Sequence, residues 1–168
     1  MTVRNAPWDR RGVTDSAADH PGPTVIALPA AIRDAIVVQT RAEDPLEACG
    51  IIVGSAAPAD GGAALRYEPT RNAAASPYRY EIDSADLFRI VVGADDADES
   101  IWGIVHSHTH TPAVPSATDI GVAFYADSLY LLVSLDEDLA DPATGAPSLR
   151  AWRIVEGAIH EVALEITT

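Results

Sequence analysis

Residues 101–121 read IWGIVHSHTHTPAVPSATDIG. The stretch opens on apolar or glycine residues from Ile101 to Val105, the pattern of a buried strand. His106 and His108 follow at once, then a proline-punctuated loop, then Ser116 and Asp119. Side chains two apart in a strand point the same way and stand roughly 6.6 Å apart. His106 and His108 can therefore converge on one ion while Ser107 faces away. The loop can turn back and set a helix start beside the strand end, bringing Asp119 to the imidazoles. Two nitrogen ligands and a carboxylate suit Zn2+, with one ion per chain. They leave a fourth tetrahedral position for water, the mark of a catalytic zinc site. The same residues admit a plainer reading. An isolated H-x-H often marks solvent-facing loop histidines. Ser116-Ala-Thr-Asp119 also fits a capping box, with Ser116 at the N-cap and Asp119 at N3. Capping and coordination then compete for one Asp119 side chain.

Outward from this stretch, the chain alternates strands and helices. Val25 to Leu28 reads as a strand, and Pro29 suits the first position of a helix running to Glu43. Ile32, Ile36 and Val37 recur on that helix at helical spacing, with Val25, Ile26 and Leu28 expected to pack nearby. Pro45 closes the helix, and residues 48–54 (ACGIIVG) form a second strand. A small-residue loop leads to a third strand, ALRYEPT, whose Leu65 and Tyr67 alternate with Arg66 and Glu68. Residues 71–82 are irregular. Asp83 or Ser84 can cap a helix carrying Leu87, Phe88, Ile90 and Val91, and GADDADES then reads as an acidic loop. Beyond the histidines the pattern predicts a helix over 117–126, an interior strand over 128–135, and two late strands around a tight turn at Glu156-Gly157. This order implies an α/β sandwich with a mixed β-sheet flanked by helices and one core. Residues 1–23 carry scattered charge and no periodicity, so they read as a flexible extension to a domain over 24–168.

The chain has 168 residues and a formal net charge of -14. An acidic surface disfavours nucleic acid and anionic membranes as partners. No run reaches the roughly 18 apolar residues of a membrane span, and no secretory h-region opens the chain. The single cysteine, Cys49, excludes an intrachain disulfide and a thiolate-rich zinc site, and fits a reducing cytoplasm. Beside an apolar run, Cys49 reads as a packing residue. There is no glycine-rich phosphate loop, dinucleotide fingerprint or serine nucleophile elbow.

Taken whole, His106-Ser107-His108, Ser116 and Asp119, with Glu47 upstream in LEACGIIVG, resemble the JAMM motif of the MPN-domain metalloproteases. The resemblance spans roughly Val25 to Ile166. The EACG and HSHT…PSATDI forms look most like the Mec-type peptidases of actinobacteria, which release cysteine from the C-terminus of a sulfur-carrier protein. The resemblance implies a cytidine-deaminase-like α/β fold. It implies zinc on His106, His108 and Asp119, Glu47 as general base and Ser116 as hydrogen-bond donor to the oxyanion. The partner it implies is a small β-grasp, ubiquitin-like carrier ending in Gly-Gly, and a homodimer is compatible with it. Taken alone, Glu47 also reads as a surface carboxylate beside Glu43 and Asp44. The family often has proline where this chain has Thr109. His110 lies outside the motif; it is expected to line the cleft or face solvent, since as a fourth ligand it would close the site. Other members act on other ubiquitin-like proteins as isopeptidases or processing proteases, and some are non-catalytic scaffolds. The long insertions that grip ubiquitin chains are missing here.

Overall fold

The computed structural model describes residues 23–168; the extension expected over 1–23 lies almost wholly outside them. β1 (Val25–Pro29) leads directly into α1 (Ala30–Glu43). With the helix beginning at Ala30, one position after the expected start, Pro29 is the strand's last residue and the helix N-cap. Its fixed φ of −56° serves both geometries. Ile26 and Leu28 are buried, whereas Val25 on the alternate face is exposed. β2 (Cys49–Gly54) is buried throughout and pairs antiparallel with both β3 (Ala64–Thr70) and β4 (Ser100–His108). On β3, Tyr67 packs against the core while Leu65 stays exposed, as an edge strand permits.

α2 (Ser84–Asp96) is capped by Asp83, whose carboxylate accepts the amides of Ala85 and Asp86. The helix outruns its expected end by a full turn, because Ala94 continues the buried stripe of Leu87 and Ile90. The acidic residues Asp95 and Asp96 are helical and solvent-facing, and Phe88 is exposed. α3 (Ala117–Gly121) is shorter than expected. There the Tyr125 amide donates to the Tyr130 hydroxyl at 2.9 Å, turning the chain toward β5 (Leu129–Ser134). β6 (Ser148–Val155) and β7 (Ala158–Thr167) form the expected hairpin. Its turn has positive φ at Glu156 and Gly157, the pattern of a type I′ turn.

The strands form one sheet in the order β1-β7-β6-β5-β4-β2-β3. β4/β5 and β1/β7 are parallel and the other pairs antiparallel, so the sheet is mixed. It curls until its outer strands touch, with α1 against the inner face. One core gathers Ile32 and Ile36 of α1 with Ile52, Trp102, Val105, Leu131 and Val133. The opposite core joins Ile90 and Ala94 of α2 to Ile51, Ile104, Leu132 and Trp152. This is the flanked α/β sandwich the element order implies, but with a core on each face of the sheet rather than the single core expected, because α1 and α2 pack on opposite faces. Among the described residues, no helix is long and apolar enough to cross a membrane.

Candidate metal centre

β4 runs unbroken through His108, so its alternation decides where the histidines point. Ile104 faces the α2 side of the sheet, and His106 and His108 share its parity. Ser107 faces the other way and accepts the Ala48 amide at 2.8 Å, while its own amide donates to the Ala48 carbonyl at 3.0 Å. Cys49 pairs with His106 in the β2/β4 register. Two steps further along that register, past the Ala48–Ser107 pair, Glu47 stands opposite His108, just before β2 begins. Glu47 is buried, and its backbone is held by the Ser76 carbonyl and the Asn72 side chain. The 111–116 loop then returns the chain so that α3 starts over the strand end.

His106, His108 and Asp119 each offer a ligand atom, and these atoms lie within 4.8 Å of one another. Asp119 Oδ1 is 3.3 Å from His106 Nε2, and Oδ2 is 3.4 Å from His108 Nε2. The capping box is present as well. Ser116 Oγ accepts the Asp119 amide at 3.2 Å, and Asp119 Oδ2 accepts the Ser116 amide at 2.7 Å. The expected competition for this side chain is thus resolved by geometry: the carboxylate caps the helix and faces both imidazoles. Ser116 is exposed, and because its oxygen accepts here, its hydroxyl proton is free to donate outward.

The donor set fits a metal. The His108 Nδ1 hydrogen bond to the Pro112 carbonyl, at 2.8 Å, assigns the proton to Nδ1 and leaves the Nε2 lone pair facing Asp119. Both ring nitrogens of His106 are buried without a hydrogen-bond partner. Such orphaned polar atoms are costly unless something else satisfies them. Two neutral imidazole nitrogens and a carboxylate are donors that zinc accepts.

Electrostatics follow from burial. Burial pushes the Glu47 carboxyl up to about 7; His108 pulls it down and Asp119 adds to the rise. Burial also opposes ionisation of Asp119, but its contacts with His106, His108 and Ser116 outweigh that and hold it well below the usual carboxylate range. Burial lowers His106. For His108 burial acts downward too, yet Asp119 and the Pro112 carbonyl leave it raised. Cys49 is fully buried, and burial pushes its thiol up to about 11, so it stays a neutral packing group.

His110 is exposed, with Nδ1 2.8 Å from the Thr109 hydroxyl. It lines a cleft with Asp44, Asp136 and Glu137, apart from the ligand set. Two residues of the site escaped sequence reasoning. Tyr80 stacks on His106, with ring centroids 4.2 Å apart and planes at 18°. Tyr80 also lines a cavity of about 370 Å³ with Ile82, Leu87, Val122, Phe124 and Tyr125. Asn72 is buried and donates to the Glu47 and Arg79 carbonyls while accepting the Ala74 and Glu81 amides. Its only sequence signal was its place at the start of the irregular 71–82 segment.

A curled mixed sheet with two histidines ending a central strand and an aspartate opening the next helix defines a JAB-type domain. Residues 29–155 match the family of prokaryotic homologs of the JAB domain, and the chain belongs to that family. It is 38% identical over 137 residues to the CysO-cysteine peptidase of Mycobacterium tuberculosis, covering 82% of this chain and 88% of that one. It is 32% identical over 116 residues to the desampylase of Haloferax volcanii, covering 66% and 81%. The solution structure of a Desulfitobacterium hafniense protein aligns at TM-score 0.70 and 28% identity, over 84% of this chain and 92% of that one. A JAB1/MPN domain protein from Archaeoglobus fulgidus shares the fold at TM-score 0.52 and 14% identity, over 83% and 97%.

Proposed function

We propose that this chain is a zinc-dependent peptidase that cleaves the amide bond after the C-terminal glycine of a small ubiquitin-like sulfur-carrier protein and releases cysteine. The observation that carries the reading is the buried cluster of His106, His108 and Asp119 with Glu47 opposite His108. Its likeness to the CysO-cysteine peptidase supports the substrate. Zinc held by the three side chains would supply Lewis acidity at the scissile carbonyl and acidify water. Glu47 takes the proton of the attacking water and returns it to the leaving amine. Burial, which raises its carboxyl, suits it to both transfers. Ser116 donates its free hydroxyl proton to the developing oxyanion. Cys49, buried and neutral, takes no part.

The carrier's extended tail, rather than its globular body, reaches this site. Segment 79–82 supports such a mode. Ala73 donates to the Glu81 carbonyl and Asp83 to the Arg71 carbonyl, so one edge of the segment is paired. The backbone groups of Tyr80 and Ile82, on the other edge, make no hydrogen bond among the described residues. A tail can add there as a strand, with a Gly-Gly end slim enough to carry its carbonyl to the metal. The desampylase likeness favours a second reading, isopeptide hydrolysis of a ubiquitin-like conjugate.

One incubation separates the two. The zinc-loaded chain is mixed with a carrier–cysteine conjugate and with a lysine-linked carrier conjugate, followed by intact mass. Loss of a single cysteine residue, abolished in Glu47→Gln, is expected. Cleavage of the lysine-linked species alone replaces the first reading with the second, and cleavage of neither removes both.

A further inference from the structure

A ligating imidazole is ordinarily oriented by a hydrogen bond from its second nitrogen. His108 has that bond, from Nδ1 to the Pro112 carbonyl. His106 does not, since both its nitrogens are orphaned. Its χ2 torsion is of the broad, two-fold kind that leaves ring orientation to the surroundings. Rotation about that torsion out of the present plane would swing Nε2 away from the ligand position. The group lying flat on this ring is Tyr80, at 4.2 Å and 18°, while His108 meets it only edgewise at 5.1 Å and 60°. Tyr80 is itself anchored. Asn72 grips the backbone on both sides of it, at the Arg79 carbonyl and the Glu81 amide. Its ring packs with the α2-side core. Its hydroxyl makes no hydrogen bond among the described residues.

We propose that Tyr80 is a positioning residue: its ring fixes the plane of His106 by stacking, in place of the missing second hydrogen bond, and keeps Nε2 aimed at the metal position. The proposal rests on His106 being a ligand. What matters is a flat aromatic face; the hydroxyl is dispensable.

The test is zinc affinity of the full chain, measured by competition with a chromophoric chelator, together with the visible spectrum of the cobalt-substituted protein. Tyr80→Phe is expected to bind zinc within about threefold of wild type, with an unchanged cobalt spectrum. Tyr80→Leu, apolar but not flat, is expected to weaken binding about 10- to 100-fold and to alter the spectrum. Tyr80→Met serves if the leucine variant fails to fold, judged by circular dichroism of the metal-free protein. Wild-type affinity in a folded leucine or methionine variant overturns the proposal. An equal loss in Tyr80→Phe also overturns it, because the hydroxyl would then be the active part. His106→Ala separates the two levels: wild-type affinity there removes the ligand assignment itself, whatever Tyr80 does.

Discussion

Asp119 meets two demands with two oxygens. Oδ2 closes the capping box on Ser116 and stands beside His108, while Oδ1 faces His106. Sequence alone set capping against coordination at this residue; what it lacked was the direction of each oxygen. The convergence of the two histidines was legible because strand alternation fixes which side chains share a face, whereas Glu47 stood out only through the resemblance to the JAMM motif. Replacing the proposed ligand and the proposed base should have separable effects. Asp119→Ala is expected to lose most bound zinc and also about 1 kcal/mol of helix-start stability, as loss of a cap does. Glu47→Gln should keep wild-type zinc content and lower turnover by about 10² to 10⁴, the usual worth of a general base. Elemental analysis and single-turnover rates on the same samples check both, and zinc lost from the glutamine variant would make Glu47 a ligand instead.

Among the elements, the irregular 71–82 segment is the one the sequence described least and the site uses most. It has no periodicity, so nothing local announced that Tyr80 reaches His106 or that Asn72 ties it to the Glu47 loop. Those contacts exist only after β2, β3 and β4 have paired. The over-short reading of α2 has a related cause: Gly93 and the acidic run look like a loop until Ala94 is seen to be buried. Asn72→Ala removes hydrogen bonds to the Glu47 and Arg79 carbonyls and from the Ala74 and Glu81 amides. Leaving such buried groups unpaired is expected to cost about 2–4 kcal/mol. Urea unfolding of the zinc-free variant checks this, and a loss below about 0.5 kcal/mol would show that water replaces the side chain.

For the whole molecule, the core on each face of the sheet is complete without the site, so removing metal should leave the fold standing and expose its proton linkage. In the metal-free chain Glu47 keeps its proton up to about 7, against 4.5 when unfolded. Between those values the folded state binds the extra proton, so stability is highest at the lower end and falls as pH rises through about 7. His108, raised from 6.5, acts in the same direction; its contribution is present below that value and fades as pH rises. Asp119, held low, acts oppositely and withdraws its contribution as pH falls below about 3.8. Chelator-treated protein is therefore expected to be about 2–3 kcal/mol less stable at pH 8.5 than at pH 5.5, with a much smaller difference in Glu47→Gln. Urea midpoints at the two pH values measure it, and an equal drop in both proteins would assign the effect elsewhere. The β2/β4 register carries one more consequence. The proposed ligands span only His106 to Asp119 and can gather within one local loop, whereas Glu47 lies far upstream and arrives only by long-range pairing of β2 with β4. On the proposed roles, a nascent or half-assembled chain could hold an ion yet would lack its base. Hydrolytic competence would then be a late event of maturation, reached only when the sheet is whole.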